Sequence, residues 1–202
     1  MARFTFMLVG FIPWFFIQES ILQGSKSIRN NRQYVTKINF PVSTIMTFTS
    51  LSRLYVHMAL SLIMFIIMCF TPGYGASVYN LQYFLYMPVM YFFFLFLTWS
   101  LAPMSAFSAD FQNAINSFMS GVFWLSGIIY NSYEINIPFV KEFMYLNPIN
   151  FFVNGYRNAF LYHRPFYADT TELLIFLAEF IIVFVLGVLN YNRLRKKLPD
   201  VL

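Results

Sequence analysis

The chain has few charged residues: of its 202 amino acids, 10% are Asp, Glu, Lys or Arg, whereas 59% are hydrophobic. A soluble domain carries about a quarter charged residues because its surface faces water. This scarcity excludes an ordinary soluble domain and indicates that lipid is the solvent for most of the surface. The net charge of +5 is too small and too dispersed for a nucleic-acid-binding surface, so no nucleic-acid partner is expected.

Cysteine and catalytic motifs are equally scarce. Cys69 is the only cysteine, which excludes a disulfide framework and a thiolate metal site, and its apolar surroundings predict a packing role. The sequence contains no G-x-x-x-x-G-K-[ST], no H-E-x-x-H and no G-x-S-x-G. His57 and His163 are too far apart in sequence to indicate a metal pair. We therefore expect a conduit with no catalytic residue, no metal site and no cofactor of its own.

Long apolar runs are what the sequence has instead. A helix needs roughly 20 apolar residues to cross the hydrocarbon core, because lipid cannot satisfy exposed backbone groups. Five stretches meet this requirement, and together they predict one all-α integral membrane domain over residues 1–202. The five predicted spans are 4–22, 43–70, 83–105, 113–131 and 172–192.

Most of the basic residues lie in two short clusters, one in the predicted 24–41 loop and one in the tail 193–197. By the positive-inside rule both clusters are cytoplasmic, which places the uncharged 71–82 loop and the 132–171 segment outside. The C-terminus is then cytoplasmic and Met1 is outside. We therefore expect a further helix ahead of this chain, and a natural five-span protein is the alternative. The cluster in the 24–41 loop consists of Lys26, Arg29, Arg32 and Lys37.

Polar residues recur along one face of the second predicted span, and on this face Arg53 and His57 lie one turn apart. A cation beside a titratable imidazole is suited to contact a phosphate or to line a wet passage. In the alternative interpretation the hydroxyls join neighbouring helices and Arg53 extends to the cytoplasmic surface. The sequence favours neither. The stripe consists of Ser43, Thr47, Ser50, Arg53, His57 and Ser61.

Three acidic residues lie in or beside the predicted spans. Glu19 is expected to pair with a basic residue of the loop that follows it. Asp110 is expected to cap the start of the fourth span, where an acid suits a helix N-terminus. Glu179 lies deeper in the fifth span, where we expect a structural ion pair or hydrogen bond rather than a direct transport role.

The outer segment 132–171 contains an aromatic-rich stretch. Asn147-Pro148 interrupts the chain there, and a helix is predicted from about 149 to 162, too short to span and therefore re-entrant or interfacial. Aromatic faces stack on sugar rings and Arg binds phosphate, so Tyr156 and Arg157 are candidates to guide a glycopolymer. An ordinary interfacial anchor is the alternative. The aromatic face consists of Phe152, Tyr156 and Phe160.

Residues 8–28, 35–41 and 146–163 form three segments that, in this order, resemble the permease subunit of ABC-2 type polysaccharide exporters. The first, 8–28 ("LVGFIPWFFIQESILQGSKSI"), resembles the family's G-x-x-P-W-x-F helix and the polar loop after it. The second, 35–41 ("VTKINFP"), resembles its K-x-x-F-P motif, and the third, 146–163 ("LNPINFFVNGYRNAFLYH"), its N-P…Y-R signature. Within the family, 52–57 ("SRLYVH") and 156–163 ("YRNAFLYH") are similar to the teichoic-acid export permeases of Gram-positive bacteria.

This resemblance covers nearly the whole chain and implies an ABC-2 type permease fold with six spans, of which this chain would contain the last five. It implies a multi-pass protein of the bacterial cytoplasmic membrane, acting as a homodimer bound to ATP-binding cassette subunits that hydrolyse the ATP. The implied substrate is an anionic glycopolymer, in particular wall teichoic acid, on undecaprenyl diphosphate. Export of an O-antigen or a capsule is an alternative, as is a degenerate, non-transporting membrane protein or a membrane-bound glycosyl- or acyltransferase.

The resemblance also assigns roles to individual residues. In such exporters the loop after the second helix contains a short coupling helix that docks on the ATPase, and residues 24–37 occupy that position here. The family's Arg-Asp pair at its fifth helix is replaced by Ala109-Asp110, so no ion-pair role is transferred to Asp110. The candidate coupling residues are Lys26, Arg29, Arg32 and Lys37, and the candidate substrate contacts are Arg53, His57, Tyr156 and Arg157.

Overall fold

The structure of the protein is a computed structural model that describes residues 2–37, 40–135 and 137–198. Within these ranges the regular elements are all helical, which confirms the all-α prediction. Met1, positions 38–39 of the predicted 24–41 loop, and position 136 of the 132–171 segment lie outside the described residues. The α-helices are α1 (Ala2–Asn30), α2 (Arg32–Lys37), α3 (Val42–Phe70), α4 (Tyr83–Phe107), α5 (Ala109–Leu125), α6 (Pro138–Tyr145), α7 (Pro148–Arg157) and α8 (Thr170–Leu194).

Four helical segments of the described chain are long and apolar enough to cross a membrane, and they match four of the five predicted spans. The predicted span 113–131 has the wrong bounds, because α5 begins at Ala109 and ends at Leu125 after 17 residues. Such a helix is about 26 Å long, somewhat less than the hydrocarbon core. Gly127, at φ 60°, stops it early in the left-handed conformation that often ends helices. The four candidate spans are Arg3–Asn30, Val42–Phe70, Val78–Phe107 and Thr170–Lys197.

The first helix continues well past the predicted span end at residue 22. Helix α1 runs to Asn30, so Lys26 and Arg29 lie on its last turns, and the prediction that they belong to a loop is wrong. Gly24, where the sequence predicts that the loop begins, is a packing residue: a Cβ there would lie 2.5 Å from Thr98 Oγ1 of α4. The helix therefore keeps its backbone close to α4 at the point where the sequence predicted its end.

The main core lies between α1, α3, α4, α7 and α8 and is rich in aromatic rings. The rings of Phe151 and Phe176 stack in parallel, with centroids 4.0 Å apart and an interplanar angle of 5°. Helices α4 and α8 approach so closely that a Cβ on Gly187 would collide with the backbone carbonyl of Phe96. This packing fixes α8 against α4 and leaves the rest of α8 facing outward.

Much of α3 and α8 is apolar and exposed, as expected of a surface that faces lipid; Leu62 and Ile181, for example, are largely exposed. Cys69 belongs to this outer surface and is exposed. The predicted packing role of Cys69 is therefore wrong. The reason is physical: an apolar run in a membrane helix marks contact with lipid as well as contact with a core.

Candidate functional site

Helix α7 and the π-helical stretch Asn158–Tyr162 form one buried rod at the position predicted for the 149–162 helix. The side chain of Asn147 accepts a hydrogen bond from the Ile149 amide, and proline in the first turn starts the helix. Residues 149–160 are all buried. An interfacial anchor keeps one face exposed, so that alternative is wrong and the segment belongs to the core.

Two of the predicted substrate residues meet inside this core. His57 Nε2 and Tyr156 Oη are 2.7 Å apart, and the tautomer of the imidazole decides which group donates the hydrogen bond. Ser61 Oγ lies 3.4 Å from the same nitrogen, and the ring of Phe16 packs against the imidazole. His57 is 1% exposed and Tyr156 is 0% exposed. The pair links α3 to α7, and a polymer can reach it only if the helices separate.

Arg157 is buried completely, and its guanidinium is engaged by the turn that follows α5. Nη1 donates to the carbonyl of Gly127 at 2.7 Å and to that of Tyr130 at 3.3 Å, and Nη2 donates to the carbonyl of Ile128 at 2.6 Å. The guanidinium also lies 3.6 Å from the centre of the Phe6 ring. Burial lowers the pKa of Arg157 to about 10, which leaves it protonated at pH 7. In this conformation Arg157 therefore holds the α5–α6 connection rather than facing a substrate.

Gly10 makes room for this arrangement. A Cβ at position 10 would lie 2.7 Å from Arg157 Nη2 and 2.9 Å from the Ile128 carbonyl oxygen. The backbone of α1 therefore approaches the guanidinium and the α5–α6 connection directly. The first segment of the chain and the late N-P…Y-R segment, which are far apart in sequence, meet at this point.

Arg53 forms an ion pair with Glu19: Nη1 and Oε2 are 3.6 Å apart, and the two side chains are 36% and 43% exposed. The prediction that Glu19 pairs with a residue of the following loop is wrong. Because α1 continues as a helix to Asn30, the basic residues after position 24 move away along its axis, while α3 packs beside α1. The pair connects the first two candidate spans.

The polar face of α3 is turned inward, as its spacing predicts. Ser50, His57 and Ser61 are all buried. Thr47, nearer the start of the helix, donates to the carbonyl of Ser43 one turn earlier, a local bond within α3. This face is therefore buried at Ser50, His57 and Ser61 and partly exposed at Arg53.

Sequence reasoning did not identify Glu172, a buried carboxylate at the start of α8. Its Oε1 accepts from Asn150 Nδ2 at 3.2 Å and from Asn154 Nδ2 at 2.9 Å, and its Oε2 accepts from Tyr133 Oη at 3.2 Å. Ser132 Oγ in turn donates to Asn154 Oδ1 at 3.0 Å. The network ties the buried rod and the 132–134 turn to the first turn of α8.

A sequence signal for this network exists. Asn150, Asn154 and Asn158 recur at every fourth position, which makes a polar face on an otherwise aromatic helix. Burial and the charge of Glu172 both raise the pKa of Tyr133, so its phenol remains a hydrogen-bond donor at neutral pH. Asn158 Nδ2 in turn donates to Tyr133 Oη at 3.3 Å, so the side chains that donate to the network's oxygens are all neutral.

The candidate coupling residues lie on the last turns of α1 and at the two ends of α2. Arg29, Arg32 and Lys37 are exposed, and Lys26 is half-buried.

The predicted cap at the start of α5 is formed by Ser108, whose Oγ accepts from the Phe111 amide, while Asp110 lies exposed in the same turn. Asp110 thus adds a favourable charge at the N-terminus of α5 but does not itself form the cap.

The described residues contain no cluster of three or more metal-ligating side chains. A cavity of about 610 Å³ lies between α4, α5 and the start of α7, and its walls are formed by apolar side chains except at Asn147. Leu97, Ile115 and Met119 are among its lining residues. Its chemistry suits hydrocarbon and offers no charged group to a ligand.

Comparison with known proteins places these features in a family. Residues 1–161 match the sequence profile of the family described as ABC-2 type transporter. The O-antigen export system permease protein RfbA of Myxococcus xanthus is 24% identical over 160 residues, which are 79% of this chain and 61% of that protein. The chain thus spans about three fifths of that relative's length. Because the profile covers α1 to the end of the buried rod, well over half of the sequence, this chain belongs to the ABC-2 type transporter family.

Proposed function

We propose that the protein is the membrane-spanning permease subunit of an ATP-driven exporter that moves a lipid-linked polysaccharide across the bacterial cytoplasmic membrane. The observation that carries the proposal is the match to ABC-2 type transporters over residues 1–161. The name of the Myxococcus xanthus relative, an O-antigen export permease, supports a polysaccharide as cargo. Because the sequence contains no P-loop, ATP is bound and hydrolysed by a partner subunit. A second copy of the permease completes the translocation path.

The class of polysaccharide that is exported depends on whether residues of the translocation path bind phosphate. Segments 52–57 and 156–163 favour an anionic teichoic acid on a lipid diphosphate, whereas the relative's name favours an O-antigen-type glycan. Among the four candidate substrate residues, Arg53 alone has a substantially exposed side chain. It is therefore the first of them that an entering phosphate meets, and it would exchange Glu19 for that phosphate.

The cargo can be tested with Arg53→Ala combined with His57→Ala, in a strain that depends on the exporter for a polyol-phosphate polymer or for a neutral glycan. Because the variant lacks the cation at position 53, it should export a polymer with a phosphate in each repeat more slowly. It should export a neutral glycan at nearly the normal rate. Unchanged export of the phosphate polymer at normal protein levels would exclude Arg53 and His57 as its binding residues. Export of the neutral glycan alone by the unmodified protein would exclude teichoic acid as the cargo.

We also propose that α2 transmits the ATPase motion, with both basic clusters and the C-terminus in the cytoplasm. Val35 of α2 is buried in a small cluster with Ile45 and Met46 of α3 and with Tyr191 of α8. A displacement of α2 therefore acts on the ends of two candidate spans. The exposed side chains of Arg29, Arg32 and Lys37 are free to contact the ATPase, whereas Lys26 is half-buried.

The coupling role is tested with Arg29→Glu and Arg32→Glu, each co-purified with the ATP-binding subunit. Reversal of a surface charge leaves the fold intact. The new carboxylate is repelled by an acidic docking surface on the ATP-binding subunit, so the permease no longer stimulates the ATPase. Lys141→Glu, a charge reversal at the exposed α6, is the matched control and keeps full stimulation. Normal stimulation and export in both α2-side variants would contradict the docking role.

A further inference from the structure

Two basic segments from opposite ends of the chain meet at one end of the helix bundle. They surround a small buried cluster that is separate from the main core. Helix α2 contributes Val35 to this cluster, and the residue after the 3-10 turn Arg195–Lys197 contributes Leu198, which is 0% exposed. The segments 26–37 and 193–198 therefore form one continuous surface, which we call the basic end.

Burial of Leu198 gives the chain after α8 a fixed course. Tyr191 Oη accepts from the Ser43 amide at 3.2 Å, and the guanidinium of Arg195 lies 5.4 Å from the centre of the Tyr191 ring. With Tyr191 and Leu198 both in the cluster, the intervening turn is held against the bundle. Its three consecutive cations are all exposed.

Among the described residues, the charge of the basic end is strongly one-sided. The cations at 29, 32, 37, 193 and 195–197 are all exposed, whereas in the described part of the chain Asp110 is the acid exposed at this end. The acid on α1, Glu19, lies deeper along the helix and is paired with Arg53. The surface is therefore complementary to a dense array of negative charge.

The position of these cations along the helices identifies the depth at which they lie. Helix α1 has 29 residues and helix α8 has 25. At 1.5 Å per residue these lengths are about 44 and 38 Å, against about 30 Å for the hydrocarbon core and 40–45 Å with the headgroups. The last turn of each helix therefore reaches the headgroup layer, where lipid phosphates are the nearest anions.

We propose that the basic end is a binding surface for anionic phospholipid headgroups, with the fixed turn Arg195–Lys197 as its centre and Arg32 and Lys37 of α2 at its side. Lipid phosphates accept hydrogen bonds from these guanidinium and ammonium groups, and the bound lipids hold α2 and the C-terminal turn together. This surface extends the role of α2 beyond the proposed contact with an ATPase, and it acts in the permease without a partner subunit.

The test uses the purified 202-residue chain without any ATP-binding subunit, in detergent micelles doped with fluorescent phosphatidylglycerol or fluorescent phosphatidylcholine. We expect the chain to bind phosphatidylglycerol preferentially, with an affinity that falls as salt is added. The variant Arg195→Gln/Lys196→Gln/Lys197→Gln should bind phosphatidylglycerol about ten- to a hundredfold more weakly, with binding of phosphatidylcholine unchanged.

Two further variants separate the headgroup surface from general effects. Lys141→Gln combined with Arg164→Gln removes two exposed cations from the other end of the molecule and should leave phosphatidylglycerol binding unchanged. Leu198→Ala keeps every cation but loosens the turn, and it should weaken binding by a smaller factor than the triple variant. Helix content and the midpoint of thermal unfolding verify that each variant is folded.

Equal binding of both lipids by the unmodified chain, or equal phosphatidylglycerol binding by the folded triple variant, would overturn the proposal. So would a triple variant that keeps its lipid but no longer binds a purified ATP-binding subunit, because the basic end would then be a protein-docking surface. Since lipid binding is measured without ATP, a failure here leaves the proposed export function standing, and a failure of export leaves the lipid surface standing.

Discussion

Replacement of Arg157 by glutamine is the most informative perturbation of the buried rod. The substitution removes the charge and all but one of the hydrogen bonds that the guanidinium donates to the carbonyls of Gly127, Ile128 and Tyr130. It also removes the contact of the guanidinium with the Phe6 ring. The carbonyl groups stay buried, so each one that loses its donor keeps the cost of its lost hydration.

The size of the effect follows from the geometry. The two bonds of 2.7 and 2.6 Å are charge-assisted, and such bonds contribute about 1.5–3 kcal/mol each, whereas the bond of 3.3 Å contributes less. Glutamine can replace one of the three. We therefore expect Arg157→Gln to lower the free energy of unfolding by about 3 kcal/mol, or the melting temperature by roughly 10 °C.

The assay is thermal unfolding of the purified chain in detergent, followed by tryptophan fluorescence. Gly10→Ala tests the same contact by steric crowding, because its Cβ would lie 2.7 Å from the guanidinium and 2.9 Å from the Ile128 carbonyl oxygen. Although Arg157 is retained, this substitution should lower the free energy of unfolding by about 1–3 kcal/mol. Arg164→Gln, at an exposed arginine, is the control and should melt within about 2 °C of the unmodified protein. An Arg157→Gln variant as stable as this control would refute the structural role of Arg157.

Two further predictions concern helix contacts. Gly187→Ala places a methyl group against the backbone of Phe96, so α4 and α8 must separate and the melting temperature should fall by several degrees; Gly121→Ala, with open space around its Cβ, is the matched control and should not destabilise. A double-mutant cycle of His57→Phe and Tyr156→Phe should give a coupling energy of about 1 kcal/mol for the 2.7 Å hydrogen bond, measured in the same assay.

Either result could go against the structure. If the Gly187→Ala and Gly121→Ala variants have the same melting temperature, the close approach of α4 and α8 is wrong. If the two phenylalanine substitutions are additive within about 0.3 kcal/mol, His57 and Tyr156 do not interact in the folded state.

The sequence predicts the long helices well because lipid leaves the backbone no alternative. The spans predicted at 43–70, 83–105 and 172–192 differ from α3, α4 and α8 by no more than two residues at either end. The ends of α1 and α5 were missed for opposite reasons. Gly24, just beyond the predicted end of the first span, permits close packing within α1, whereas Gly127, inside the predicted span 113–131, has the positive φ that ends a helix.

The candidate site could be predicted as a set of residues but not as a set of contacts. Periodicity places Arg53 and His57 on one face, yet it cannot reveal that Arg53 pairs with Glu19 or that His57 meets Tyr156. The sequence makes Arg157 a candidate to bind phosphate. A guanidinium also donates hydrogen bonds to backbone carbonyls, and only the fold decides between the two partners.

The buried acid and the basic end depend on tertiary structure in the same way. Glu172 is one acid in the first turn of a helix, an ordinary position, until Asn150 and Asn154 are brought against it. The two basic clusters indicate an orientation by their composition alone. Their union into one surface rests on Val35 and Leu198, two single apolar residues that no periodic pattern singles out.

The central claim, that this chain is the permease of an ATP-driven polysaccharide exporter, is tested most directly by reconstitution. The chain and its ATP-binding subunit are incorporated into proteoliposomes that carry a lipid-linked polysaccharide, and the polymer that becomes accessible across the bilayer is measured over time. We predict translocation that requires ATP, both proteins and intact Arg29 and Arg32. Translocation at the same rate without ATP, or none with both proteins folded, associated and hydrolysing ATP, would contradict the claim.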